Sequence, residues 1–481
     1  MTEMHYLDAS SALRLFRSRE LSPVELLDAL IARTEAVNGS INALTETLFD
    51  EARLAARQAA TRYARGRDLA PLLGLPVAAK EKHGLRGRTL SQGLLAKKGE
   101  VAAADHPVIE RIRHAGGIIH ARTTTPEYSC ATVTHSPLWG VTRNPWNLQY
   151  SPGGSSGGSG AALAAGLAPL ATASDIAGST RLPASFTGTV GFKAPYGRIP
   201  GLAPLSADYY RGDGPMGRTV ADTALLANIM TGRHPGDHTT LAGTPRLDHG
   251  PGAADAAVGM RIALCVRLGN YPVAADVEAN TRAVASALRG AGAVVEEIDL
   301  PWTTQLISRT MFTHFGYLLG PAMEDETAGT TDMLASYTRR FMADARRAAE
   351  QNRFLDGVRA ETRIQVELAA AMAGFDALIC PASAVASLDA DGDYLDGIDL
   401  DGTGEASGHL EHYWEGHMTA PFNIANRCPV LAVPSGTADC GIPTGVQIVG
   451  HPFDDATVFK VGGVLEAVRP WHGRRPEFLA G

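Results

Sequence analysis

Residues 152–195 constrain this chain more than any other stretch, because two serine-bearing glycine loops there flank one short apolar segment. Gly153, Gly154, Gly157, Gly158 and Gly160 stand among Ser155, Ser156 and Ser159. That composition lets the backbone take positive φ and bring N–H donors close to a bound group. Ala161–Leu170 predicts a helix of small residues running into a buried strand near Ala168–Ala173. A second tight loop, Asp175-Ile176-Ala177-Gly178-Ser179, follows at once. Consecutive backbone N–H groups ending at a serine can hold the oxyanion of an acyl-transfer intermediate, with that serine as the attacking group. Such a serine needs a base.

Other readings of the glycine run fail on context. Gly153-Gly154-Ser155-Ser156-Gly157 satisfies the nucleophile-elbow pattern G-x-S-x-G, but that motif needs a strand just before the serine, and Asn144–Pro152 is a poor strand. No Gly-Lys-[Ser/Thr] closes the run, which argues against a phosphate loop. A flexible linker would have no reason to be coupled to a second serine loop.

Upstream, Gly74-Leu75-Pro76-Val77-Ala78-Ala79-Lys80 is a short apolar run ending on a lysine. Alone, such a lysine reads as a snorkelling side chain. Together with the two serine loops, it resembles the amidase signature family. The resemblance implies that Ser179 is the nucleophile, Ser155 a bridging serine in a cis peptide with Gly154, and Lys80 the base. The two serines are 24 positions apart, the family's own separation. It further implies oxyanion donors from the N–H groups of Ile176, Ala177, Gly178 and Ser179, with Asp175, Arg181 and Ser156 supporting the loops. Asn144–Asn147, Gly214–Met216, Ala420–Asn423 and Pro443–Gly450 also resemble family landmarks, so the likeness covers most of the chain and weakens at 302–345 and 386–416. Two residues depart from the pattern. Ala177 stands where the family usually has Gly, which keeps the N–H but limits φ, and Glu81 follows Lys80 where Asp is usual.

The fold implied is α/β, a large mixed central β-sheet covered by helices on both faces. We read residues 1–481 as one domain, with a signature core at about 70–235 and a variable helical region at about 302–369. The length prior alone suggests several domains, but α/β enzymes with one large sheet often exceed it. Hydrophobic residues at 45% and charged ones at 20% suit a globular protein with a buried core. A net charge of −8 and a pI near 6.0 lack the basic excess of a nucleic-acid binder. No run approaches the ~20 apolar residues of a membrane span. Met1–Asp8 has no basic region followed by an apolar one, so no signal peptide is expected. Five cysteines without Cys-x-x-Cys spacing fit reduced thiols. The expectation is a cytoplasmic enzyme with a small-molecule amide substrate, no nucleic-acid or membrane partner, no metal or organic cofactor, and room for a homodimer.

Along the chain, Ser22-Pro23-Val24-Glu25 is a capping box that opens a helix, and Glu51–Ala64 predicts a second, Ala- and Arg-rich one. Strands are expected at Leu72–Ala79, Ile118–Ala121, Met260–Val266, Ala293–Ile298, Phe375–Cys380, Val430–Val433 and Val446–Val449. Val220–Thr231 predicts an amphipathic helix, Gly232–Gly252 a loop and Asp276–Gly290 a helix, while 302–369 reads as mainly helical. Asp389–Gly404 is acidic and glycine-rich; Tyr394 and Leu400 at the sixth and twelfth positions argue against a calcium loop and for a solvated surface loop.

For the substrate, Tyr128, Tyr209, Tyr210, Phe312 and Phe315 are candidate binding residues, with core packing the competing reading for each. They favour a small to medium, largely apolar carboxylic amide, with anilides, esters and carbamates (urethanes) as related substrates. One alternative within the resemblance is the glutamine-hydrolysing component of an amidotransferase that works in a tRNA-modifying complex. Gly416 stands where that component is expected to carry an aspartate. A catalytically inactive binding protein of the same fold is disfavoured, because Lys80, Ser155 and Ser179 are all present.

Overall fold

Side chains along a strand point alternately to opposite faces. In the strand Ala377–Pro381, Ala377 and Ile379 enter one apolar cluster while Leu378 and Cys380 enter another. Ile262 and Leu264 are separated from Ala263 in the same way. A sheet apolar on both faces must be covered on both, which is the layered α/β arrangement.

The structure is a computed structural model that describes residues 3–243, 246–248, 252–400 and 408–477. Its central sheet has eleven strands, numbered here along the chain. They are β1 (Leu44–Thr47), β2 (Pro76–Lys80), β3 (Ile118–Thr123), β4 (Leu170–Asp175), β5 (Val190–Lys193) and β6 (Gly212–Gly217), followed by β7 (Arg261–Leu264), β8 (Val294–Glu297), β9 (Ala377–Pro381), β10 (Val430–Thr437) and β11 (Pro443–Gly450). Their spatial order is β1-β3-β2-β4-β6-β5-β10-β11-β9-β7-β8. The pairs β3/β2, β2/β4, β9/β7 and β7/β8 are parallel and the others antiparallel, so the sheet is mixed, as expected.

Several elements differ from the sequence reading. Leu72–Gly74 forms turns and the strand starts at Pro76. Strand β6, Gly-Asp-Gly-Pro-Met-Gly, has none of the branched or aromatic residues that mark a strand. It pairs on both sides, with β4 and β5, where its glycines admit close neighbours: a Cβ on Gly214 would overlap the carbonyl oxygen of Phe192. The helix Val220–Met230 is not amphipathic, since most of its circumference is buried. Asp222 on it is buried too, and accepts the N–H groups of Ala9 and Ser10, both at 2.9 Å, at the start of the helix Ala9–Ser18. Within the acidic stretch, Ile398–Leu400 is a strand paired with Gly408–Leu410; residues 401–404 lie outside the described residues, as do 244–245 and 249–251 of the expected loop Gly232–Gly252.

Other local signals carry over directly. In the capping box, the Ser22 N–H donates to Glu25 at 2.8 Å and the Ser22 hydroxyl accepts from Val24 at 3.2 Å. The helix Phe49–Arg65 buries the narrow stripe Ala52, Ala56, Ala59 and Tyr63. Region 302–369 holds the helices Thr304–Tyr317, Leu319–Glu326 and Ser336–Gln351, and most of Phe354–Ala371. Among the described residues, no helix is long and apolar enough to cross a membrane.

Candidate active site

The glycine run packs rather than opens. The helix Gly157–Ala164 is buried throughout, and neither Gly157 nor Gly158 has positive φ. A Cβ on Gly158 would overlap Thr124, one on Gly157 would overlap Thr134, and one on Gly154 would come within 2.6 Å of the Ala131 carbonyl oxygen. Glycine here serves close approach of the chain's own backbone, not access for a ligand. The packing holds Ser155 and Ser156 against the end of β2, and the Gly154–Ser155 peptide is cis.

Lys80 closes β2 and is fully buried. Its Nζ lies within hydrogen-bond distance of the hydroxyls of Ser155 at 2.7 Å, Ser156 at 2.9 Å and Ser174 at 3.0 Å. Among the described residues no carboxylate lies within ion-pair distance of it. Burial, reinforced by the neighbouring Lys82 cation, holds Lys80 well below the usual lysine range. A neutral amine ringed by hydroxyls can accept a proton from one of them. The Ser156 N–H donates to the Ser179 carbonyl at 3.2 Å, joining the two serine loops.

The second loop is organised around Asp175. Its carboxylate accepts the Gly178 N–H at 2.7 Å, the Thr180 N–H at 3.2 Å, and two bonds from Arg181 at 3.0 and 2.8 Å. Arg181 is held in turn by Gln447 at 2.6 Å, Asn423 at 2.6 Å and the Thr419 carbonyl at 2.9 Å. The distant landmarks Ala420–Asn423 and Pro443–Gly450 thus converge on one guanidinium. Burial favours the neutral acid, yet Arg181 and Asn423 outweigh it and hold the Asp175 carboxyl far below its usual range. The expected set of oxyanion donors is corrected at Gly178. Its amide is turned into the loop towards Asp175, which leaves the N–H groups of Ile176, Ala177 and Ser179 without a protein acceptor among the described residues. Gly178 itself has φ +128, and a Cβ there would overlap Thr419.

Ser179 faces a cleft with about 10 Å³ of free space, bordered by Ser155, Tyr128, Ile176, Leu319, Lys82 and Arg211. That is room for about one water. Tyr128 and Ser129 both have positive φ (50 and 59). The Tyr128 hydroxyl donates to Glu326 at 3.1 Å and Lys97 pairs with the same carboxylate at 2.7 Å, so the helix Leu319–Glu326 is latched across the cleft.

Of the five aromatic candidates, only Tyr128 reaches this cleft. Tyr210 is buried, stacked on His314 at 3.6 Å, with its hydroxyl on Glu361 at 2.9 Å. Phe312 and Phe315 pack with Phe341 and Trp414. Tyr209 packs on Tyr196 beside Arg427. For these four the packing reading prevails. Sequence reasoning missed Ser174, Lys82, Arg211 and a buried chain in which Thr172 bonds His83 at 2.8 Å and His83 bonds Asp213 at 2.9 Å, with His106 at 3.5 Å from the same carboxylate. Thr172 and Ser174, alternating with alanines in a buried strand, carried a usable signal, since buried hydroxyls require partners.

The chain and its fold are similar to those of known proteins. The Amidase family profile matches residues 25–459. The chain is 33% identical to a glutamyl-tRNA(Gln) amidotransferase subunit of Chloroflexus aggregans, covering 99% of both chains. It is 32% identical to the 6-aminohexanoate-cyclic-dimer hydrolase of Paenarthrobacter ureafaciens, covering 98% of this chain and 97% of that one. Its fold superposes on a bacterial aryl acylamidase with a TM-score of 0.88 at 25% identity, covering 99% of each. The mixed sheet agrees with these likenesses, and the chain belongs to the amidase signature family of hydrolases that act on C–N bonds.

Proposed function

We propose that this protein hydrolyses a small to medium carboxylic amide through a serine acyl-enzyme. Neutral Lys80 takes a proton from Ser155, Ser155 takes one from Ser179, and Ser179 attacks the carbonyl carbon. The carbonyl oxygen becomes the oxyanion and is met by the N–H groups of Ile176, Ala177 and Ser179. Reversal of the relay protonates the leaving amine, and water then attacks the acyl-enzyme by the same route. The observation that carries the reading is the buried Lys80 amine, 2.7 Å from Ser155 and without a carboxylate within ion-pair distance among the described residues. Ser155 and Ser179 share the cleft but do not hydrogen-bond to each other; the relay requires that contact to close around bound substrate.

Ile176, Leu319 and the Tyr128 ring give the cleft an apolar side suited to an alkyl or aryl group next to the scissile bond. Anilides, esters and carbamates share the acyl-transfer chemistry and belong in the same test. Five unpaired cysteines, four of them buried, support a reducing compartment, the cytoplasm. A glutamine-hydrolysing role is the second reading, on the 33% identity to an amidotransferase component. A fluorophosphonate probe followed by peptide mapping should label Ser179; label confined to Ser155 would defeat the assignment. Purified protein alone should turn over members of an amide, anilide and carbamate panel, whereas glutamine turnover only with added tRNA and partner proteins would establish the second reading.

The Ala177 amide provides a separate check. Ala177→Pro deletes one oxyanion donor and should lower kcat by about 10²–10³-fold. Ala177→Gly keeps the donor and should change kcat by less than about tenfold. Equal effects of the two changes would show that this N–H does not meet the oxyanion.

A further inference from the structure

The cleft beside Ser179 is bordered by a cation that makes no ion pair among the described residues. Arg211 stands in a turn, its N–H donating to the Asp208 carbonyl at 3.0 Å, directly before β6. Its Nε is buried without a hydrogen-bond partner, and its guanidinium makes no ion pair among the described residues. The carboxylates around it are mostly engaged by other groups, with Asp208 Oδ2 left buried and without a hydrogen-bond partner near the Arg211 charge. Asp213 meets His83 at 2.9 Å, His106 at 3.5 Å and Lys82 at 4.0 Å. Asp208 accepts from His314 at 2.8 Å and from the Tyr210 N–H at 3.0 Å, and Asp175 is clamped by Arg181. Glu326, at the rim, is taken by Tyr128 and Lys97.

Arg211 and Lys82 border a second cavity as well, of about 200 Å³, which extends past Pro204 to the exposed Leu202. The two cations therefore stand where the narrow cleft at Ser179 meets the wider space leading outwards. A half-buried guanidinium has five donors in a fixed fork that fits a carboxylate, and an unmet buried donor is costly. Burial and the Arg211 charge push Lys82 down to about 8, against the opposing pull of Asp213 and Asp208.

We propose that Arg211, with Lys82 beside it, binds a carboxylate of the substrate, so that the amide this enzyme cleaves is anionic, with an apolar segment between the carboxylate and the scissile bond. This rests on the serine-amidase reading above. It also replaces the expectation of a largely apolar substrate, which relied on five aromatic residues of which only Tyr128 borders the cleft. The carboxylate selects the substrate and takes no part in the bond changes at Ser179.

Two matched pairs test it: succinanilic acid against its methyl ester, with the charge on the acyl side, and N-acetyl-4-aminobenzoic acid against its methyl ester, with the charge on the amine side. Release of the aromatic amine gives kcat/KM for the wild type, Arg211→Gln, Arg211→Met and Arg211→Lys. The wild type should prefer the acid over the ester in one pair by about ten- to a hundredfold, mainly through KM, as expected for hydrogen bonds to a charged group. The acid-to-ester ratio should fall to about one in Arg211→Gln and Arg211→Met and recover in part in Arg211→Lys. Each ratio is internal to one variant, and the two uncharged replacements guard against one failing to fold. No acid preference in either pair, or a preference that survives both uncharged replacements, would overturn the anion site. Fluorophosphonate labelling of wild-type Ser179 reads the acyl-enzyme reading separately: label without acid preference defeats only the anion site, and absence of label defeats the serine reading.

Discussion

Ser179→Ala is expected to reduce kcat by about 10⁵–10⁶-fold, the scale seen when the nucleophile of a serine hydrolase is removed, while the protein stays folded. The second half of that expectation follows from the surroundings of the side chain. Ser179 is 9% exposed and its hydroxyl makes no hydrogen bond to protein among the described residues, so truncation orphans no buried partner. Stability should change by less than about 0.5 kcal/mol, measured by denaturant unfolding. Ser155→Ala should differ in kind. Ser155 is fully buried and hydrogen-bonded to Lys80, so its loss removes both the relay and one partner of a buried amine. It should destabilise by about 1–3 kcal/mol in addition to lowering kcat. Residual activity in Ser179→Ala within about tenfold of wild type would require another nucleophile.

Lys80→Met should lower kcat/KM by about 10³–10⁴-fold and remove a limb of the pH profile. In the wild type the neutral amine is the active form. Burial and Lys82 depress its pKa, so kcat/KM should rise with pH through a value well below the ordinary lysine pKa of ~10.4, and level off before it. Methionine has no titrating group and should show no such limb. The same depression makes a stability prediction of defined sign. Between the folded-state pKa and the unfolded one the unfolded chain binds the extra proton, so wild-type stability rises with pH across that window. Lys80→Met should lack this contribution, its stability relative to wild type being greatest below the folded-state pKa and falling as pH rises. An unchanged rate and pH profile in Lys80→Met would place the base elsewhere.

The two variants also separate the chemistry from the scaffold. Asp175 and Arg181 are among the most buried charges in the protein, and each holds the other. Removing one leaves an uncompensated buried charge, a cost of about 3–5 kcal/mol. Loss of activity in Asp175 or Arg181 variants would therefore report the collapse of the loop that presents Ser179, and would not identify either residue as a proton carrier.

By itself the sequence determined whatever depends on neighbours along the chain. The Ser22–Glu25 capping box, the helical series after Thr304, and the apolar strands at Ala377, Val430 and Val446 follow from local propensity and period. So does the setting of Lys80, Ser155 and Ser179 in a strand end and two tight loops. Tertiary structure decided what each residue faces. Gly212–Gly217 became a central strand by pairing with β4 and β5, with Gly214 leaving room for the Phe192 carbonyl, although nothing in its composition favours a strand. Phe312, Phe315 and Tyr210 went to the core because helices far apart in sequence brought Phe341, Trp414 and His314 against them. Asp175 and Arg181 acquired their roles from Thr419, Asn423 and Gln447, more than 230 positions away. Arg211 and Lys82 reached the cleft in the same manner, one from the turn before β6 and the other from the segment after β2. Hydrophobic period encodes whether a side chain is buried; only the meeting of distant elements encodes against what, and a substrate pocket is made of such meetings.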